Sequence, residues 1–145
     1  MSMNQILSGM DISASGLTGE RLRMDVAANN IANQHSTRTA QGGPYQRMQV
    51  TFAAAMAQNG AGSAQDLKGV TVVGVSSDTT PGESIYDPGH PDADATGHVQ
   101  QSNVNLPHEM VDLVTASRAY EANLKSLETF RQMAEQALSL LRGLR

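Results

Sequence analysis

The sequence predicts a mainly α protein: long N- and C-terminal helices forming a coiled-coil-like pair, with a small β-rich or irregular region between them. Three observations predict it. Apolar residues recur every seven positions at the N-terminal end, and again at the C-terminal end, where neither Gly nor Pro interrupts positions 108–142. The middle carries the opposite texture, with β-branched runs cut by Pro-Gly and Gly-Gly turns. The corresponding segments are 1–36, 37–104 and 105–145.

In the first segment Met3, Met10, Leu17, Met24 and Ile31 are spaced by seven, and Leu7, Ala14 and Ala28 fill positions four further on. That is the a/d pattern of a helix lying along another helix. Arg21 takes one slot, and Gly9, Gly16 and Gly19 each weaken an isolated helix by up to about 1 kcal/mol, so packing must supply what propensity does not. Asn29, Asn30 and Asn33 crowd the end of this pattern. Asparagine disfavours helix interiors because its amide competes for backbone hydrogen bonds.

The middle segment turns at Gly42-Gly43-Pro44, then alternates Met48, Val50 and Phe52 against polar neighbours, the mark of a strand. "AQNGAGSAQDLKG" (57–69) reads as a loop and "VTVVGVSSD" (70–78) as a second strand. The stretch 79–104 is broken by Pro81-Gly82, Asp87-Pro88-Gly89 and His90-Pro91, so turns around at most one short strand are expected there.

The last helix has Asn105 as cap, Pro107 in the first turn and Glu109 near its positive end. Leu106, Leu113, Tyr120, Leu127, Ala134 and Leu141 recur every seven residues, and Met110, Leu124 and Leu138 fill a second row around Ser117 and Arg131. Unbroken, this helix is about 50 Å long. The N-terminal helix is the expected partner of its seam, and periodicity leaves open whether the two belong to one chain or to neighbours.

Composition narrows the function. With 3 Tyr, 2 Phe and no Trp the chain has few of the side chains that dominate a core, while 8 Met suit adaptable surfaces. A core completed against other chains is the expectation. A net charge of −4 disfavours nucleic acid, and no Lys or Arg falls between 69 and 117 while seven acids do. There is no Cys, no run of about 18 apolar residues and no basic-then-apolar leader, so neither disulfides, a membrane span nor a cleaved signal peptide is expected.

No nucleophile elbow, phosphate-binding loop or zinc-protease motif is present, and Ser117 and His108 lie at opposed angles on one helix, so no enzyme and no cofactor is expected. His90, Asp92, Asp94 and His98 form H-x-D-x-D-x3-H. Two imidazoles and two carboxylates suit a divalent cation, which would make the chain a metal-binding module. The same residues beside Pro and Gly also make an ordinary solvated turn, which is the expected reading, with no metal. A small helical adaptor is the other alternative, and it requires both helices to be ordered in the isolated chain.

Three separated stretches resemble one family: "ANNIANQHSTRT" (28–39), "YDPGHPDADATGHV" (86–99) and "NVNLPHEMVDLVTASRAYEANL" (103–124). They are similar to the bacterial flagellar axial proteins, and the middle element with the short length resembles the proximal rod members. Two positions depart from that pattern, Gly97-His98-Val99 and Ser102-Asn103-Val104, where the family usually has a tyrosine and a proline.

The resemblance implies a structural subunit of the periplasmic basal-body rod, stacked helically to carry torque from rotor to hook. Copies of itself, neighbouring proximal and distal rod proteins and the flagellar type III export apparatus are the implied partners; nucleic acid and direct lipid binding are not. It also implies terminal helices that order on assembly. The residues expected at subunit contacts are Leu7, Met10, Leu17, Met24, Asn29, Asn30, Ile31 and Asn33 of the first helix, with Met110, Leu113, Arg118, Tyr120, Glu121, Asn123, Leu124 and Leu127 of the last. Buried among subunits, the asparagines would fix register as a polar residue does in a coiled-coil seam. For Asn33, with Ser36, ending the helix is the competing role.

Overall fold

A computed structural model describes residues 3–56 and 67–143. Helix α1 runs Met3–Ala32 and helix α2 runs Leu106–Gly143. Between them lie β1 (Met48–Met56), β2 (Leu67–Ser77), β3 (Ser84–Tyr86) and β4 (His98–Gln100). β1 pairs with β2, and β3 pairs antiparallel with β4 in a register that sets Ile85 opposite Val99. Two long helices around a small stranded region match the sequence expectation. The loop expected over 57–69 falls largely outside the described residues, and its last three begin β2. No described helix is long and apolar enough to cross a membrane.

One correction concerns 79–104, where two short strands pair instead of at most one. Strands of three residues carry no alternation to read. They are fixed by the turns between them: the Asp94 carboxylate accepts from Thr96 N, Thr96 Oγ1 and His98 N, and the Asp87 amide donates to the Gly97 carbonyl.

Contacts divide the chain into two compact units, 1–22 with 52–73 and 116–145, and 23–51 with 74–115. In the first, the helices run antiparallel with little between them. A Cβ on Gly9 would lie 2.6 Å from the Phe130 ring, and one on Gly16 would lie 2.8 Å from the Asn123 amide. Midway, Ser13 Oγ donates to the Gly9 carbonyl and sits 3.4 Å from Ser126 Oγ. Each step down α1 is thus met by an equal step up α2. The strands close another side of α1, with Phe52 against Gly19 and the Val70 amide donating to Ser15 Oγ at 3.1 Å.

The closest approach of the two helices does not run along the rows of Leu7 and Leu124, a second correction. The contact row is 9, 13 and 16, all small, facing 123, 126 and 130. Small residues let two helix backbones approach, so the close contact forms there, and bulky Leu7 and Leu124 turn outward, 52% and 42% exposed. The glycines that weaken the isolated helix are what the pairing requires.

The second unit is built on buried polar groups. Asn30 and Glu109, each 1% exposed, are its largest fully buried side chains. The α1 helix ends above them: Asn33 N donates to the Asn29 carbonyl, and Ser36 Oγ bonds Asn33 Oδ1 at 3.3 Å. The α2 helix begins with Asn105 Oδ1 accepting from His108 N at 3.1 Å, the N-cap that the sequence predicts.

Candidate assembly surface

Sorting the expected contact residues by what they touch separates an inward set from an outward set. Asn30 faces inward. Its Nδ2 donates to the Met48 carbonyl (2.8 Å) and to Glu109 Oε2 (2.9 Å), while its Oδ1 accepts from Met48 N (2.9 Å) and Tyr45 Oη (3.0 Å). An amide has two donors and two strong acceptor sites, so none is left for a neighbouring subunit. The expectation that Asn30 pairs across subunits is therefore corrected; it pins the start of β1 to both helix ends within the second unit.

Glu109 completes this cluster. Its Oε1 accepts from Arg47 Nε at 2.5 Å, so its other oxygen is free to hold Asn30. Arg47 is clamped through its backbone too, its amide donating to Asn103 Oδ1 (2.7 Å) and its carbonyl accepting from Asp78 N (2.7 Å). Asn103 Nδ2 then bridges the Asp78 and Thr80 carbonyls. Burial pushes the Tyr45 phenol above its ordinary value, and the nearby Glu109 charge adds to that. In the same unit Arg23 donates to both carboxylate oxygens of Asp112.

Sequence reasoning missed Tyr45, Arg47 and Asn103, and gave Glu109 only a role at the helix end. Polar residues in a loop carry no periodicity that marks them as core. One signal was present: the asparagines of "ANNIAN" and "NVN" exceed what capping two helix ends requires.

Asn29 and Asn33 bond within the end of α1, Asn29 Nδ2 to the Asp25 carbonyl, Asn33 Nδ2 to the Asn29 carbonyl, and Asn33 Oδ1 accepting from Ser36 Oγ. Asn33 and Ser36 end the helix. Asn123 lies on Gly16.

The outward set is apolar. Leu7, Met110 and Leu124 are exposed, and Met10, Leu17, Met24, Ile31, Leu113, Tyr120 and Leu127 are half-buried. Arg118 and Glu121 are exposed beside them. In the first unit Leu7 and Leu124 are exposed while Ile6 is buried, and α1 keeps a third side, distinct from its contacts with α2 and with the strands, for Leu7, Asp11, Ala14 and Thr18.

The His90–His98 turn spends its side chains on the chain itself. His90 Nδ1 accepts from Asp92 N, and the Asp92 carboxylate takes Thr37 Oγ1 (2.9 Å) and Arg38 (3.2 Å). Among the described residues no group of three or more His, Cys, Asp or Glu is placed to hold a metal ion. Hydrogen bonds hold the carboxyls of Asp78 (from Thr80), Asp92 (from Thr37) and Asp94 (from Thr96) below their ordinary value. A lowered carboxyl stabilises the fold above its unfolded value of about 3.9 and ceases to do so as pH falls through the lowered folded value. The thermal midpoint is therefore expected to drop on acidification below about pH 4, and Thr96→Val should flatten the Asp94 share of that drop. Calorimetry across pH 2–6 of the wild-type and variant chains checks both; parallel curves would contradict it.

Capped antiparallel helices, small residues at their contact and apolar rows left outward describe an assembly subunit, and sequence comparison agrees. Residues 10–37 match the family described as flagella basal body rod protein, and residues 95–140 match the C-terminal region of the flagellar basal body rod FlgEFG proteins. The class is that of the flagellar rod proteins. Within it, the chain is 39% identical to the flagellar basal-body rod protein FlgC of Borreliella burgdorferi, over 95% of this chain and 99% of that one. It is 38% identical to FlgC of Salmonella typhimurium (93% and 97% covered) and 37% identical to FlgC of Bacillus subtilis (90% and 95%). The chain belongs to the FlgC family of flagellar basal-body rod proteins.

Proposed function

We infer that this chain is a structural subunit of the flagellar basal-body rod and not an enzyme. The observation that carries this is the 39% identity to a rod protein over 95% of the chain. Its place is the proximal rod, in the periplasm, where copies and neighbouring proximal and distal rod proteins stack helically and pass torque from rotor to hook. The flagellar type III apparatus exports it without cleavage of a leader, and neither lipid nor nucleic acid is a partner.

The subunit contacts run through the outward rows of the two helices: Leu7, Met10, Leu17, Met24 and Ile31 on α1, and Met110, Leu113, Tyr120, Leu124 and Leu127 on α2, with Arg118 and Glu121 beside them. Physically, these rows have the seven-residue period of a helix seam, and the seam inside the first unit uses other residues. Cells from which the chain is deleted are expected to be non-motile and to lack hooks, with both restored by the wild-type chain. Motile, hook-bearing deletion cells would overturn the assignment.

A further inference from the structure

Three aspartates of the second unit each close a turn by accepting the backbone amide two residues on. Asp78 accepts Thr80 N (3.0 Å), Asp87 accepts Gly89 N (3.1 Å) and Asp94 accepts Thr96 N (2.7 Å). His90 takes the same role with an imidazole, its Nδ1 accepting Asp92 N at 3.1 Å. A backbone amide can only donate, so this bond requires a neutral ring with its hydrogen on Nε2. A carboxylate keeps its acceptors at neutral and mildly acid pH. An imidazole loses its one acceptor there, because the incoming proton goes onto the nitrogen that accepts.

We propose that His90 is a pH-sensitive clasp, shut while its ring is neutral and released when a proton on Nδ1 expels the Asp92 amide. The consequence passes through Asp92. Its carboxylate accepts from Thr37 Oγ1 (2.9 Å) and Arg38 Nη1 (3.2 Å), which ties the loop after α1 to the turn between β3 and β4. The charged and titratable groups of these segments are Asp87, Asp92, Asp94 and His98 on one side, and His35 and Arg38 on the other. Of these, Asp92 interacts electrostatically with both His90 and Arg38. An imidazolium at 90 competes with Thr37 and Arg38 for that carboxylate, so the lost acceptor and the gained charge loosen the same tie. Ala93 N donates to the His90 carbonyl, a bond that no proton alters, so the turn itself persists. His98 is the opposite case. Its Nδ1 lies 3.0 Å from Thr96 Oγ1, a hydroxyl that donates to Asp94 and can accept from an imidazolium. Acid therefore releases His90 and leaves His98 in place. The clasp works within one chain, whatever that chain assembles into.

The test is an NMR titration of the isotope-labelled full-length chain from about pH 7.5 to about pH 5.5, the range in which imidazoles take up their proton. Amide exchange is measured at both ends and corrected for its intrinsic pH dependence. Protection of the Asp92 amide is expected to fall by ~10-fold or more at the acid end, and its shift to follow the titration of the His90 ring carbons. The Thr37 and Arg38 amides should shift in step, and the Ala93 amide should not. His90→Asn supplies an oxygen that accepts the same amide and takes no proton, so Asp92 should stay equally protected at both ends. His98→Asn should leave the wild-type response within about twofold. An Asp92 amide equally protected at both ends in the wild-type chain, or one that follows His98 and not His90, overturns the clasp. So does a wild-type response that survives in His90→Asn; if that variant does not fold, the wild-type titration decides by itself.

Discussion

Replacing Glu109 by alanine is expected to destabilise the chain by about 3–5 kcal/mol, the effect of removing one partner from a buried ion pair. The side chain is 1% exposed, and its loss leaves Arg47 Nε and one donor of the buried Asn30 without their acceptor. Asn30 in turn holds Met48 and Tyr45, so the damage spreads to the start of β1. For a chain of this size the thermal midpoint should fall by on the order of 10 °C. Glu109→Gln keeps the side chain's shape but only one acceptor oxygen, so either Arg47 or Asn30 loses its partner, and the loss should be smaller than for alanine, about 1–3 kcal/mol. Equal losses for the two variants would mean that the charge, and not the hydrogen-bond geometry, holds the cluster. A loss below about 1 kcal/mol for Glu109→Ala would mean that it is not the centre of this unit.

Gly69→Ala is expected to lose about 2–4 kcal/mol through two separable effects. The backbone there has φ +95°, a left-handed conformation that a Cβ disfavours by about 1–2 kcal/mol. The added methyl would also collide with Ser15 Oγ, the group that accepts the Val70 amide and holds β2 against α1. Combining Gly69→Ala with Ser15→Ala removes the collision but not the backbone strain. The double variant should therefore be less destabilised than the sum of the two single variants, as read by chemical denaturation. Strict additivity would show that Ser15 and residue 69 do not meet.

The helices and the longer strands were legible in the sequence because each repeats a period long enough to stand out: seven-residue spacing for α1 and α2, alternation at Met48, Val50 and Phe52, and the β-branched run before Asp78. What the period did not reveal was direction. An apolar row announces that something lies along it, and the row through Leu7 and Leu124 was read as the line on which the two helices meet. They meet instead on Gly9, Ser13 and Gly16. Glycines at 9 and 16 are themselves seven apart, a spacing that marks close approach on one line, yet they also fit the reading of a helix weakened until partners arrive. Both descriptions are consistent, since a helix dependent on close contact is weak without it.

The polar centre of the second unit was legible only in part. Asn30 stood out as a poor helix residue, which is why a special role was assigned to it, but its partners lie far along the chain. Tyr45, Met48 and Glu109 are brought to it by the fold, and no local pattern in the sequence joins positions 30, 47, 103 and 109. The His90–His98 turn illustrates the converse. Its four residues are close in sequence and of ligand type, and they are absorbed by Thr37, Thr96 and neighbouring backbone amides.

That the chain is a rod subunit assembling through the outward rows of α1 and α2 is most directly tested by amide hydrogen exchange. Exchange over residues 118–140 is compared between the purified full-length chain and the same chain in isolated basal bodies. The rod account predicts that these amides, supported in the free chain on one side only, by the α1 line through Gly9, Ser13 and Gly16, slow by ~10-fold or more on assembly as fraying is suppressed. Equal exchange in the two states would contradict it, because helices that neighbouring subunits cover cannot open as freely as helices in water.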